Sequence, residues 1–113
     1  MHELTIAQGI LDIAVKTAVG HGMGKVVGVK VLAGELTGIV PEALEFGFGA
    51  LAEGTVAAGA KLSIHIVPLA GRCLDCGHES GVDKYRFVCT SCGSYAVEIV
   101  AGRELKVESV EVE

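Results

Sequence analysis

Cys73-Leu74-Asp75-Cys76 and Cys89-Thr90-Ser91-Cys92 hold all four cysteines of this 113-residue chain, with twelve residues between the pairs. Two C-x-x-C pairs at such a separation suit a four-thiolate zinc site, because each pair forms a tight turn that aims both sulfurs at one point. Gly77 and Gly93 each follow the second cysteine of a pair. A glycine there accepts the positive φ that turns the chain back and directs backbone N–H groups at the thiolates. The competing readings are two disulfides, a redox C-x-x-C and an iron–sulfur cluster. Ligand spacing favours structural zinc. A redox pair should precede a helix, and neither pair does.

A second donor set lies at the other end of the sequence, Met1-His2-Glu3. The Met1 α-amine, the following amide nitrogen and the His2 imidazole can close fused chelate rings around one ion. Such nitrogen donors suit the square-planar or tetragonal preference of Ni²⁺ or Cu²⁺. The Glu3 carboxylate can add an oxygen or orient the imidazole. From the residues alone, the plainer reading is a terminal segment that happens to contain a histidine.

Other side chains carry weaker signals. His78 follows the first cysteine pair and reads as a polar residue of the cysteine module. His65 falls on the outward parity of a strand, and His21 lies in a glycine-rich loop. The Gly20–Gly24 run is not a phosphate loop, since no G-x-x-x-x-G-K-[ST] occurs. Glu35, in a central loop, reads as a solvated carboxylate. No nucleophile has a neighbouring base, so an enzyme is not expected.

Composition narrows the partners. The formal charge is −5, and four thiolates around one Zn²⁺ would lower it by two more. That argues against nucleic acid, whose readers usually carry a basic patch. Mean hydropathy is positive, yet no apolar run approaches the ~18 residues that a membrane-spanning helix needs. Glu3 and Asp12 interrupt any signal-peptide pattern. Paired thiols without an export signal point to the cytoplasm.

The elements that must position these residues are legible from periodicity. Leu4, Ile6, Ile10, Leu11, Ile13, Ala14 and Ala18 recur near helical spacing, predicting an amphipathic helix over 4–19. The glycine-rich run at 20–24 ends it. Val27, Val29 and Val31 alternate, predicting a strand over 26–32, and a loop follows over 34–38. Pro41 suits the first turn of a second helix, with Leu44, Phe48 and Leu51 on its buried face and an end near Gly54. Leu62, Ile64 and Ile66 mark a second strand that Pro68 ends.

Residues 71–95 have few core side chains, so metal must hold them together. In the C-terminal strand, Leu105 and Val107 share one parity and Val110 and Val112 the other. That change predicts a β-bulge near Ser109. The expected fold is α+β: two helices packed on a three-stranded sheet, with an inserted zinc-ribbon-like module.

Met1-His2-Glu3-Leu4, Ile6-Ala7-Gln8, the run from Gly34 to Leu44, the two cysteine pairs and Gly102-Arg103-Glu104-Leu105 together resemble the HypA/HybF family. These are nickel metallochaperones for [NiFe]-hydrogenase maturation. The resemblance implies a nickel-binding α/β domain over 1–70 and 96–113 and a zinc-binding module over 71–95. It implies Ni²⁺ held by His2, the Met1 amine and Glu3, and Zn²⁺ held by Cys73, Cys76, Cys89 and Cys92. The implied partners are a nickel-handling maturation GTPase and the hydrogenase large-subunit precursor; some members also serve urease. A homodimer is compatible with this reading. Two departures stand out: Gly93-Ser94 follows the second pair where some members place a histidine, and Val40 stands where some have an acidic residue. The alternative is a zinc-ribbon protein-interaction module without metal delivery, which would use the cysteines alone.

Overall fold

The computed structural model describes residues 3–22, 24–83 and 85–113, so the expected nickel donors Met1 and His2 lie outside the described residues. Two compact units are present. The first comprises residues 1–32, 39–65 and 106–113, and the second residues 33–38 and 66–105.

In the first unit, helix α1 runs Glu3–Gly20 and helix α2 runs Pro41–Ala52, with the proline in its first turn. Pro41 cannot donate a backbone hydrogen bond, and none is needed there. The first bond of α2 runs from the Leu44 N–H to the Val40 carbonyl, at 3.1 Å. The two helices pack on each other. From α1 the buried residues are Ala7, Ile10, Leu11, Ala14 and Ala18, and from α2 they include Leu44, Phe48 and Ala52. Ile13 is half exposed, and Leu4 is more exposed still. Both were expected on the inner face. The buried stripe of α1 is narrower and built largely of alanine, because small side chains let a neighbouring helix approach closely. Phe46, 81% exposed, lies on the outer side of α2.

Strands β1 (Val26–Gly34), β2 (Lys61–Val67) and the C-terminal strand (Leu105–Val112) form one sheet in the order β2, β1, C-terminal strand. The last strand thus returns to the sheet begun by the first two. Val26, Val29 and Val31 are fully buried in the centre, and Lys30 points out. On β2 Leu62 is the buried residue and Ile66 is exposed, so the alternation expected there covers the core over part of its length. His65 is exposed, as its parity predicted. In the C-terminal strand, partial burial falls on Val107 and then on Val110 and Val112, so the inward side does change parity between 107 and 110.

A second sheet lies in the second unit and was not anticipated. Strand β3 (Ala70–Cys73) pairs antiparallel with β4 (Glu79–Gly81) and with β5 (Val97–Ala101); the C-terminal strand is accordingly β6. Strands of three to five residues are too short for period-2 alternation to show. The one legible signal was Val97-Glu98-Ile99, whose apolar members are half-buried. Segment 33–38 also belongs to this unit, and its centre forms a 3-10 turn over Glu35–Thr37. Gly34 crosses Gly102 so closely that a Cβ on Gly34 would sit 2.1 Å from the Gly102 carbonyl group. Only glycine permits that approach.

Candidate metal centre

Each cysteine pair is built by the same local hydrogen-bond pattern. The Cys73 carbonyl accepts from the Gly77 N–H at 2.9 Å, and the Cys89 carbonyl accepts from the Gly93 N–H at 3.0 Å. The Cys73 N–H donates to the His78 carbonyl at 2.9 Å, and the Cys89 N–H to the Ser94 carbonyl at 2.8 Å. Gly77 and Gly93 have φ of 77° and 76°, the left-handed conformation that closes both turns. Two sequence stretches sixteen residues apart therefore fold into one repeated knuckle.

The knuckles bring four sulfurs together. Cys73 Sγ lies 3.6 Å from Cys92 Sγ, and Cys76 Sγ lies 3.6 Å from Cys89 Sγ. All four sulfurs fall within 4.8 Å of one another, and none is in a disulfide. Zinc–thiolate bonds of about 2.3 Å in a tetrahedron put sulfurs about 3.8 Å apart. The cluster therefore fits one tetrahedral Zn²⁺. Neither pair opens a helix, as a redox C-x-x-C would. His78 is exposed, and the group of potential ligands comprises the cysteines without it.

Electrostatics explain why a dication belongs here. The Cys92 N–H, and then the Ser91 N–H, pull the Cys89 thiol down to about 6 against its burial. Both groups lie 3.4 Å from its sulfur. The Cys76 N–H, also at 3.4 Å, is the main influence lowering Cys73. At Cys92 the Ser94 N–H pulls downward, but the Cys73 sulfur, burial and the other sulfurs outweigh it and push the thiol up to about 12. Cys76 is raised in the same way, its His78 N–H outweighed by burial and by the sulfurs of Cys89 and Cys73. Backbone N–H groups can hold two anions at this spacing. Four thiolates require a positive ion to share the charge. Zn²⁺, when bound, supplies that charge and ties the knuckles together.

Among the nickel donors expected from the sequence, Glu3 is the one described. It opens α1 as the acidic residue of its first turn and is half-buried. Glu35 proves to be more than a solvated loop carboxylate. Its Oε1 accepts the Leu69 N–H at 2.9 Å, across 34 residues of sequence. Nothing in the local pattern around either residue signals this contact. Among the described residues, no helix is long and apolar enough to cross a membrane.

Fold and site together define an α+β protein with a zinc-ribbon-like four-cysteine module. The family described as hydrogenase/urease nickel incorporation, metallochaperone, HypA matches residues 1–112, and the chain belongs to it. The hydrogenase maturation factor HypA of Geobacter sulfurreducens is 44% identical over 113 residues, covering all of both chains. Its counterpart in Chlorobaculum tepidum is 42% identical over the same span, again covering both chains completely. A solution structure of a HypA protein matches with a TM-score of 0.76 at 25% identity, covering 100% of this chain and 97% of that one. The solution structure of the Ni metallochaperone HypA from Helicobacter pylori matches with a TM-score of 0.68 at 24% identity, covering 99% and 97%, and speaks for the fold.

Proposed function

We propose that this protein binds Ni²⁺ at Met1-His2-Glu3 and delivers it to the large subunit of a [NiFe]-hydrogenase during maturation. The observation that carries this reading is the family match from residue 1 to residue 112, which includes the terminal donor set as well as the cysteines. The His2 imidazole and Met1 amine supply nitrogen donors, and Glu3 supplies an oxygen to the ion or to the imidazole. The nickel is cargo, so its donors should be open to exchange. The zinc is resident: four thiolates around it leave no open position for catalysis. Cys73, Cys76, Cys89 and Cys92 are proposed as its ligands, and the zinc-bearing module as a surface shaped for protein partners. A nickel-handling maturation GTPase and the hydrogenase precursor are the proposed partners, in the cytoplasm. Nucleic acid and membrane are not.

Calorimetric Ni²⁺ titration of the zinc-loaded protein with a native N-terminus tests the reading. His2→Ala should abolish tight nickel binding while leaving zinc content and fold intact. An N-terminal tag, which removes the free Met1 amine, should weaken binding too. Unchanged affinity in both proteins would move nickel elsewhere and leave the cysteine module as an interaction surface without a role in delivery.

A further inference from the structure

The two knuckles are each closed by their own hydrogen bonds. Among the described residues, two further hydrogen bonds tie the first knuckle to the second or to the stretch just after it. The Leu74 N–H donates to the Ala96 carbonyl at 2.8 Å. On the other contact, the Ser94 hydroxyl donates to Oδ2 of Asp75. Asp75 lies inside the first knuckle, beside Cys76, and Ser94 lies two residues beyond Cys92. Cys76 and Cys92 are the exposed pair of sulfurs, whereas Cys73 and Cys89 are buried. The Asp75–Ser94 bond therefore involves residues neighbouring both solvent-facing ligands.

Ser94 is fully engaged. Its hydroxyl oxygen accepts the Ala96 N–H at 3.0 Å, its hydroxyl proton goes to Asp75, and its carbonyl accepts the Cys89 N–H at 2.8 Å. One residue thus fixes the second knuckle internally, anchors the start of β5, and reaches across to the first knuckle. Metal leaves a four-thiolate site by stepwise loss of ligands, and the first step is easiest where a knuckle can swing into water. A bond across the exposed side opposes that swing.

We propose that Asp75 and Ser94 form a latch across the two knuckles that sets how fast zinc leaves the site, with Ser94 as the positioning residue. The proposal rests on the zinc reading of the four cysteines. Its action is kinetic: the four sulfurs still bind when the latch is removed, but the site opens more often.

The test uses the full-length zinc-loaded protein and follows zinc transfer to a chromogenic chelator in excess. Ser94→Ala and Asp75→Ala should each speed release roughly 5-fold, the scale of one hydrogen bond to an exposed carboxylate. The double variant should be no faster than Ser94→Ala alone, because that change already removes the bond to Asp75. Ser94→Thr keeps the hydroxyl and should stay within about twofold of the parent. Asp75→Asn keeps an acceptor while removing charge, and should fall between parent and Asp75→Ala. Co²⁺-substituted variants should keep the parent thiolate-to-metal charge-transfer bands. Release at the parent rate in both alanine variants, or multiplicative effects in the double variant, would overturn the latch. Loss of the charge-transfer bands would do so too, because ligation rather than opening would then have changed. Absence of zinc from the purified parent would instead overturn the zinc reading, which keeps the two failures distinct.

Discussion

The two units of this chain are held together by different physics. Residues 1–32, 39–65 and 106–113 enclose an apolar core in which Leu44, Phe48, Val26, Val29 and Val31 are fully buried. In residues 33–38 and 66–105 the buried apolar side chains, cysteines aside, are Ala33, Leu69 and Val82 among the described residues. Burying a large aliphatic or aromatic side chain contributes about 1.5–3 kcal/mol, so three modest side chains cannot order some 46 residues. The second unit substitutes four convergent sulfurs, two knuckles and a lattice of backbone hydrogen bonds. A core spreads its stabilisation over many side chains, so losing one weakens it without abolishing it. A metal site concentrates its stabilisation in four atoms and fails when one is removed.

The largest way to break this contrast is at the sulfurs. Cys73→Ser or Cys89→Ser should remove zinc and disorder residues 66–105, since structural zinc contributes on the order of 10–16 kcal/mol of apparent binding free energy in small modules. Amide NMR dispersion should collapse there and persist in the first unit, and metal analysis should fall from one zinc per chain to none. Loss of the first unit's signals as well would show that the two do not hold independently.

The converse change is Phe48→Ala. It should cost about 3–5 kcal/mol by opening a cavity in the core, read as a lower denaturation midpoint. Zinc content at fixed protein concentration should not change while the protein stays folded.

Acid should act on the second unit first. Zinc needs thiolates, and protons compete for them, so retention must fall as pH falls. The four cysteines supply all the ligands that protons can reach, so they are where acid attacks this unit. Charge-transfer bands of the Co²⁺ form should fade on acidification, with the helical circular-dichroism signal of α1 and α2 outlasting them.

A smaller effect is expected at Glu35. Glu35→Ala leaves the N–H of the buried Leu69 without its acceptor and should cost about 1–3 kcal/mol. Faster amide exchange at Leu69 would register it, and Glu35→Gln, which keeps an acceptor oxygen, should lose less. The smallest effect belongs to Arg72 and Glu98, cross-strand partners on β3 and β5 whose side chains meet at 2.8 Å but are each about half exposed. Glu98→Gln should change stability by less than about 1 kcal/mol and should matter less as salt is added.

How much of this was legible before the fold was seen depends on the range of each interaction. The helices read correctly to within a residue or two, because Pro41 and the glycine run at 20–24 are local signals. The cysteine cluster was legible for the same reason: each knuckle is a turn of a few residues, repeated, and two such turns need only meet. The sheet of β3, β4 and β5 was not, because β3 and β4 are too short to show a period and the alternation of β5 alone names no partner strand. Nor were the outward positions of Leu4, Ile13 and Phe46, since helical spacing marks an apolar stripe without saying how much of it a neighbour will cover.

The sequence by itself determined the α+β class, the four converging cysteines and the resemblance that the family match then bore out, and it supplied the Met1-His2-Glu3 segment on which the nickel proposal rests. Those features rest on residue types and short spacings, where backbone geometry leaves few alternatives. Only the tertiary structure decided that Glu35 serves Leu69, that Gly34 lies against Gly102, and that Ser94 reaches Asp75. Each of these joins segments distant in sequence, so its existence depends on how loops close, and loop closure leaves no imprint on the pattern of residues at either end.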